Sequence, residues 1–126
     1  MSSREDSIRP SPIAGTWYTN QPEALRREIR TYLDEAKIPA IAGEVIGLIA
    51  PHAGYIYSGR TAGHAYRAVQ GKIADVVTVF SPFHDYTDEK LLTTYHSAYL
   101  TPLGLVPVAL DILEEFQKRI AEKGLF

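Results

Sequence analysis

Histidines 52 and 84 offer the most legible chemistry in this chain. Each follows an apolar run and a proline, in Val45-Ile-Gly-Leu-Ile-Ala-Pro-His52 and Val76-Val-Thr-Val-Phe-Ser-Pro-Phe-His84. Neutral imidazole suits zinc, copper, iron and nickel, and two imidazoles with the rest of the coordination sphere open describe a catalytic rather than a closed structural site. A stable site needs a third donor, and Asp85, Asp88, Glu89 and His96 are the nearest candidates. With Asp85 the set would be two histidines and one carboxylate, which matches non-haem Fe(II) chemistry. Adjacent residues on an extended chain point to opposite sides, however, which favours a turn or supporting role for Asp85. The remaining histidines read as surface residues: His64 falls off the apolar stripe of its helix, and His96 sits inside a strand pattern.

These residues need elements to position them. Residues 45–50 and 76–80 read as buried strands, because β-branched and apolar side chains run without interruption and a proline then ends ladder pairing. The histidines stand about 32 residues apart, the length of a strand, a crossover helix and a second strand, and such a crossover makes the strands parallel. Parallel neighbours lie about 4.8 Å apart, so both imidazoles should emerge at the carboxyl edge where open α/β sheets bind ligands.

Three helices complete the pattern. Asn20 with Glu23 forms a variant capping box, followed by Leu25, Ile29, Tyr32, Leu33 and Ala36 on one stripe and by Arg26, Arg27, Arg30 and Asp34 on a solvated face. Ser58 is placed to cap the crossover helix, whose inward stripe is Ala62, Ala65, Tyr66 and Val69, with Gly71 as its left-handed end. Residues 91–99 read as a further strand and 105–108 as a short edge strand. Asp111 then caps a last helix with Ile112, Leu113, Phe116 and Ile120 inward. Trp17, the sole tryptophan, is either a core anchor or a pocket wall.

Composition narrows the function classes. The chain has 126 residues, 45% of them hydrophobic and 22% charged, which is the make-up of one globular domain. Its net charge of −2, with no basic cluster, argues against nucleic acid as a partner. There is no cysteine, so a disulfide framework and a thiolate metal site are both excluded from this chain, and the absence fits a reducing compartment. The polar start lacks the apolar core of a secretory signal, and no stretch approaches the ~20 apolar residues of a membrane span. The expectation is a cytoplasmic protein without a membrane partner, with residues 1–8 as a flexible leader and 9–126 as the folded portion.

Four segments in order, Ala14-Gly-Thr-Trp-Tyr18, Ala50-Pro-His-Ala-Gly-Tyr-Ile-Tyr-Ser-Gly59, Ser81-Pro-Phe-His84 and Tyr99-Leu-Thr-Pro-Leu-Gly104, resemble the MEMO family, which includes the AmmeMemoRadiSam system protein B of prokaryotes and the eukaryotic mediator of cell motility. The resemblance covers nearly all of the chain but only about the N-terminal half of the family's domain. It implies an α/β layered sandwich with a mostly parallel central sheet, similar to the LigB-type extradiol dioxygenases and truncated here. It also implies a divalent metal, iron or copper, held by His52 and His84, with Trp17 and Tyr57 lining the same pocket. The family's cysteine ligand has no counterpart. Where the family usually has Pro-Ser-His-His, this chain has Pro-Phe-His-Asp, so Asp85 enters the pocket in place of a second histidine.

Two functions follow from this resemblance. One is a dioxygenase-like, metal-dependent oxidoreductase whose third ligand lies elsewhere. The other is a non-catalytic module that binds a small molecule, a peptide or a protein in the same pocket. An unpaired sheet edge would favour a homo-oligomer or a missing C-terminal half as partner.

Overall fold

The computed structural model describes residues 7–124 and divides them into two compact units: residues 7–10, 74–100 and 105–124 form the first, and 11–73 with 101–104 form the second. Among these residues lie three helices and a three-strand mixed sheet, an α/β arrangement. The strands are β1 (Ile8–Arg9), β2 (Ala98–Thr101) and β3 (Gly104–Pro107), and the helices are α1 (Pro22–Glu35), α2 (Tyr55–Arg67) and α3 (Leu110–Glu122).

In the first unit, β1 pairs in parallel with β2, Ile8 opposite Ala98 and Arg9 opposite Tyr99. A two-residue connection joins β2 to β3, which only antiparallel neighbours allow. The Arg9 guanidinium lies 5.4 Å from the Tyr99 ring centroid. Around the strand ends, Ser97 N–H donates to the Ser7 carbonyl at 2.8 Å and Val108 N–H to the Ser97 carbonyl at 2.9 Å. Ser7 and Ile8, placed in the leader by the sequence, are therefore tied to the sheet, and residues 1–6 lie outside the described residues. Of the expected strand over 91–99 only residues 98 and 99 are strand, as the first half of β2, which runs on to Thr101. The edge strand near 105–108 is present as β3, its proline at the last position.

Helix α3 carries Asp111 inside its first turn, not at the cap, which is Ala109 without a side-chain bond. The carboxylate still faces the positive end of the helix dipole. On the expected stripe, Leu113 and Ile120 are half-buried, whereas Ile112 and Phe116 are exposed.

The second unit is built on α1 and α2. Helix α1 starts one residue later than a cap at Asn20 would place it: Pro22 occupies the first helical turn, and Gln21 is the cap residue, with no side-chain cap bond. Proline fits there because the N–H it lacks would have had no helical partner. The inward stripe is as expected, with Leu25 and Ala36 buried and Ile29, Tyr32 and Leu33 half-buried, while Arg26, Arg27, Arg30 and Asp34 are exposed.

Helix α2 begins three residues before Ser58, capped by Gly54. Two bonds account for the shift: Tyr55 N–H donates to the Trp17 carbonyl at 2.8 Å, and the Ser58 hydroxyl turns back to the Ala53 carbonyl at 3.1 Å. The inward face differs as well, since Gly59 and Gly63 are buried while Tyr66 is exposed. A Cβ on Gly63 would stand 2.6 Å from the Tyr32 carbonyl oxygen, and one on Gly59 2.5 Å from the edge of the Tyr32 ring. Glycine at this i, i+4 pair lets α2 lie directly on α1. Beyond the helix, Gly71 has φ +79, the left-handed conformation expected of it.

The largest departure concerns residues 45–50 and 76–80. Neither run is a strand, and most of their apolar side chains are exposed. A buried parallel strand depends on neighbours along both edges and on cover over both faces. The described residues supply neither, so strand propensity alone does not order these runs. Among the described residues the sheet is β1-β2-β3, with β1 parallel to β2; the α/β class is as expected, and the layered, mostly parallel sheet between the two histidines is not seen there. Among the described residues, the buried apolar side chains are Leu25, Ala36 and Ala98.

The glycine contacts make a testable statement. Gly→Ala in an open helix position stabilises by roughly 0.5–1 kcal/mol, whereas overpacking against a fixed atom costs about 1–3 kcal/mol. Gly63→Ala should lower the urea or thermal midpoint, and Gly59→Ala should do so less, because the Tyr32 ring can swing away while a backbone carbonyl cannot. A raised midpoint for Gly63→Ala would contradict the close approach of the two helices.

Candidate functional site

The second unit contains a cavity of about 510 Å³. Its walls come from three places: the loop carrying Trp17 and Tyr18, the inward faces of α1 and α2 at Tyr32 and Tyr55, and the segment Pro51-His-Ala-Gly54 leading into α2. The size falls within the range of small-molecule sites, and a mainly apolar lining that includes aromatic rings and a few polar groups is typical of them.

Local bonds hold each wall. In the first loop, Gly15 N–H donates to the Tyr18 carbonyl at 2.7 Å and Trp17 N–H to the Ile13 carbonyl at 3.0 Å. The hydroxyls of Ser11 and Tyr18 share a hydrogen bond. The Trp17 carbonyl then anchors Tyr55 N–H, and Gly54 lies so near that a Cβ there would stand 3.4 Å from that same carbonyl oxygen. The tryptophan loop and the start of α2 are thus one connected piece of backbone.

The tyrosines form a chain of ring contacts. Tyr18 and Tyr55 have centroids 5.4 Å apart in a tilted arrangement, and Tyr55 meets Tyr32 edge-on at 6.2 Å. The Tyr32 hydroxyl donates to Glu28 Oε1 at 2.7 Å, and this bond, ahead of desolvation, raises the Tyr32 pKa above the ordinary 10. Burial does the same to Tyr55, reinforced by Tyr18, Glu28 and Tyr66. Both phenols are therefore neutral hydrogen-bonding groups at physiological pH.

Trp17 and His52 both line this cavity, and Trp17 is 47% exposed. His52 is an exposed residue on the rim. Tyr57 does not line the cavity; it stands on α2 with 85% of its surface exposed. His84 and Asp85 belong to the first unit, and both are exposed. Asp85 Oδ1 accepts the Tyr86 N–H at 2.8 Å, a local turn contact. Nearby, Phe80 and Phe83 help to line a smaller cavity of about 250 Å³.

His64 and His96 are each held by a neighbouring group. His64 Nδ1 lies 2.9 Å from the Arg60 carbonyl on the exposed face of α2. His96 is half-buried, with Nδ1 2.8 Å from Ser7 Oγ and its ring beside Tyr95 and Tyr99. Among the described residues, no three of His, Asp or Glu come together as a group that could hold a metal ion.

Tyr18, Tyr32 and Tyr55 were not singled out as pocket residues from the sequence. Tyr18 and Tyr55 stand inside two of the quoted motifs, and Tyr32 was counted only as part of the α1 stripe. The signal for Tyr32 was its hydroxyl, since a buried phenol on an apolar stripe needs a polar partner.

Comparison with known proteins gives a consistent picture. The Memo family, described as Memo-like protein, matches residues 9–123. A MEMO1 family protein of Saccharomyces cerevisiae is 31% identical over 121 residues, covering 94% of this chain and 36% of the relative. One from Methanothermobacter thermautotrophicus is 34% identical over 125 residues, covering 94% of this chain and 44% of the relative. The protein memo-1 homolog of Caenorhabditis elegans is 37% identical over 112 residues, covering 89% and 31%. The chain thus spans less than half the length of these relatives. Among the described residues, no helix is long and apolar enough to cross a membrane.

The raised Tyr55 pKa sets a pH dependence. A phenol whose folded pKa exceeds its unfolded value favours folding fully below that unfolded value, and the contribution is lost as pH rises through the folded pKa. Ultraviolet titration should show a tyrosine ionising above pH 10 that is missing in Tyr55→Phe, and the variant should lose less stability than the parent over that alkaline range. Identical alkaline profiles would remove burial as the cause.

Proposed function

Because the chain belongs to the Memo-like protein family, we propose that the cavity of its second unit is a binding pocket for an apolar or aromatic group carried by a small molecule or a peptide. The observation that supports this is the aromatic cavity itself, with Trp17, Tyr18, Tyr32 and Tyr55 as walls and His52 on the rim. Ring faces supply dispersion and stacking, and the imidazole supplies one directional hydrogen bond that orients the guest. Both loops that frame the cavity are bonded to one another through Trp17 and Tyr55, so the walls are set before a guest arrives.

The sole tryptophan reports on this pocket directly. Benzyl alcohol, or a tetrapeptide with a central phenylalanine, should change Trp17 emission along a saturating curve. His52→Ala should weaken the apparent affinity about tenfold, the equivalent of one hydrogen bond of ~1.4 kcal/mol. A linear response in the parent protein, the mark of bulk quenching, would sink the pocket reading.

Family membership favours a second reading, in which His52 and His84 are two donors to iron or copper and the protein takes part in dioxygenase-like oxidation. The described side chains do not by themselves fit a resident ion. They form no three-donor group, and the chain has no cysteine to serve as a thiolate. In this reading the remaining donors come from outside these residues, and the part of this chain is to present two imidazoles. Removal of either histidine should then lower affinity for added Fe(II) or Cu(II) by about tenfold or more, measured by anaerobic titration. Unchanged affinity in His52→Ala or His84→Ala would take that residue out of the donor set.

A further inference from the structure

The cavity of the second unit is rich in rings and poor in charge. Trp17, Tyr18, Tyr32, Tyr55 and Tyr66 line it, and among the described residues no lysine, arginine, aspartate or glutamate does. A carboxylate stands at its wall all the same: the half-buried Glu28 accepts the Tyr32 hydroxyl through Oε1 at 2.7 Å. Glu23, Asp34 and Glu35, the other carboxylates of α1, each lie beside an arginine, whereas among the described residues no such pair holds Glu28. The Glu28 charge reaches both inner tyrosines, where it disfavours the phenolate. The Arg60 guanidinium, 5.8 Å from the Tyr32 ring centroid, opposes it at Tyr32 but is paired with Glu35. At Tyr55 the charged side chain that acts is Glu28.

Resting on the pocket reading above, we propose that the guest of this cavity is a cation, a quaternary ammonium group, with the aromatic rings as its walls and Glu28 as its countercharge. The face of an aromatic ring is the negative end of its quadrupole, so several rings around one cavity attract a positive charge that aliphatic walls would leave unaided. Tyr32 already shows the affinity, since its ring carries the Arg60 guanidinium. Glu28 adds a negative charge from a half-buried position, where water screens it less than it screens the exposed pairs of α1 and α2. Quaternary character follows from what the walls lack. A primary ammonium or a guanidinium must keep its N–H donors bonded, and a mainly apolar lining would leave most of them unpaired at high cost. A quaternary head has no N–H to satisfy: it offers apolar methyl surface to the rings and carries its full charge just beneath. The same Glu28 charge works against a guest that ends in a carboxylate or a phosphate.

Matched pairs of ligands, titrated against Trp17 emission in the full chain, isolate the charge. Choline is compared with the neutral alcohol in which a tert-butyl group replaces its trimethylammonium head, and a tetrapeptide with a central trimethyllysine is compared with the same peptide carrying norleucine. At least one cation should bind about tenfold or more tightly than its neutral counterpart, the gain expected of several ring contacts partly shielded from water. Saturation by choline assigns the site to a free small molecule, and saturation by the peptide alone assigns it to a modified lysine. Glu28→Gln keeps an acceptor for the Tyr32 hydroxyl and removes the charge, so it should weaken the preferred cation about fivefold and leave the neutral counterpart unchanged. Neutral counterparts that bind as tightly as the cations, an unchanged cation affinity in Glu28→Gln, or a saturating benzyl alcohol curve with no response to either cation would overturn the charge assignment and leave the pocket standing. Saturation by none of these ligands, benzyl alcohol included, would remove the pocket and the cation together.

Discussion

The contact of Tyr32 with Gly59 and Gly63 is the constraint on which the second unit depends. Two glycines one helical turn apart let α2 rest against both the ring and the backbone of α1, and everything that frames the cavity follows from that closeness. The Tyr32 ring is pressed edge-on towards Tyr55, Tyr55 leans on Tyr18, and Tyr55 N–H reaches the Trp17 carbonyl. With larger residues at 59 or 63 the helices would separate, and the aromatic walls would separate with them. The arrangement costs helix propensity at two positions and gains a contact surface that bulkier side chains would not reach.

Charged pairs border this helix contact without carrying it. Arg60 pairs with Glu35, Arg67 lies 3.9 Å from Asp34, and the Arg60 guanidinium stands 5.8 Å from the Tyr32 ring centroid. These groups are largely exposed, so water and salt screen them and each is worth ~1 kcal/mol or less. Their value is register: they favour one alignment of α2 along α1 among those that a smooth glycine face would permit.

Much of this was legible in the sequence. The stripe from Leu25 to Ala36, the solvated arginines, the left-handed Gly71 and the proline-bearing edge strand follow from local periodicity and backbone sterics, and local causes can be read locally. Helix starts differ from the expected ones by one to four residues for an equally physical reason. Pro22 dictates the first turn of α1 regardless of Asn20, and the start of α2 is fixed by a long-range bond to Trp17 that no capping rule contains. The runs at 45–50 and 76–80 show the opposite limit: a parallel strand is a property of its neighbours, and sequence records the preference without recording whether the neighbours are there. Trp17 and His52 both stand in the family motifs and both line the cavity, while Tyr32 lies inside a stripe that reads as ordinary core.

The way β1 finds β2 has a kinetic consequence. Ser7 and Ser97, which bond beside that pair, are separated by 90 positions, whereas Tyr32 and Tyr55 are separated by 23. Closing the larger loop costs about 1 kcal/mol more in chain entropy, and on the ribosome it must wait until residue 98 has been made. The first unit brackets the second along the chain, so the helical pair can assemble during synthesis while Ile8 and Arg9 are still waiting for their partner strand.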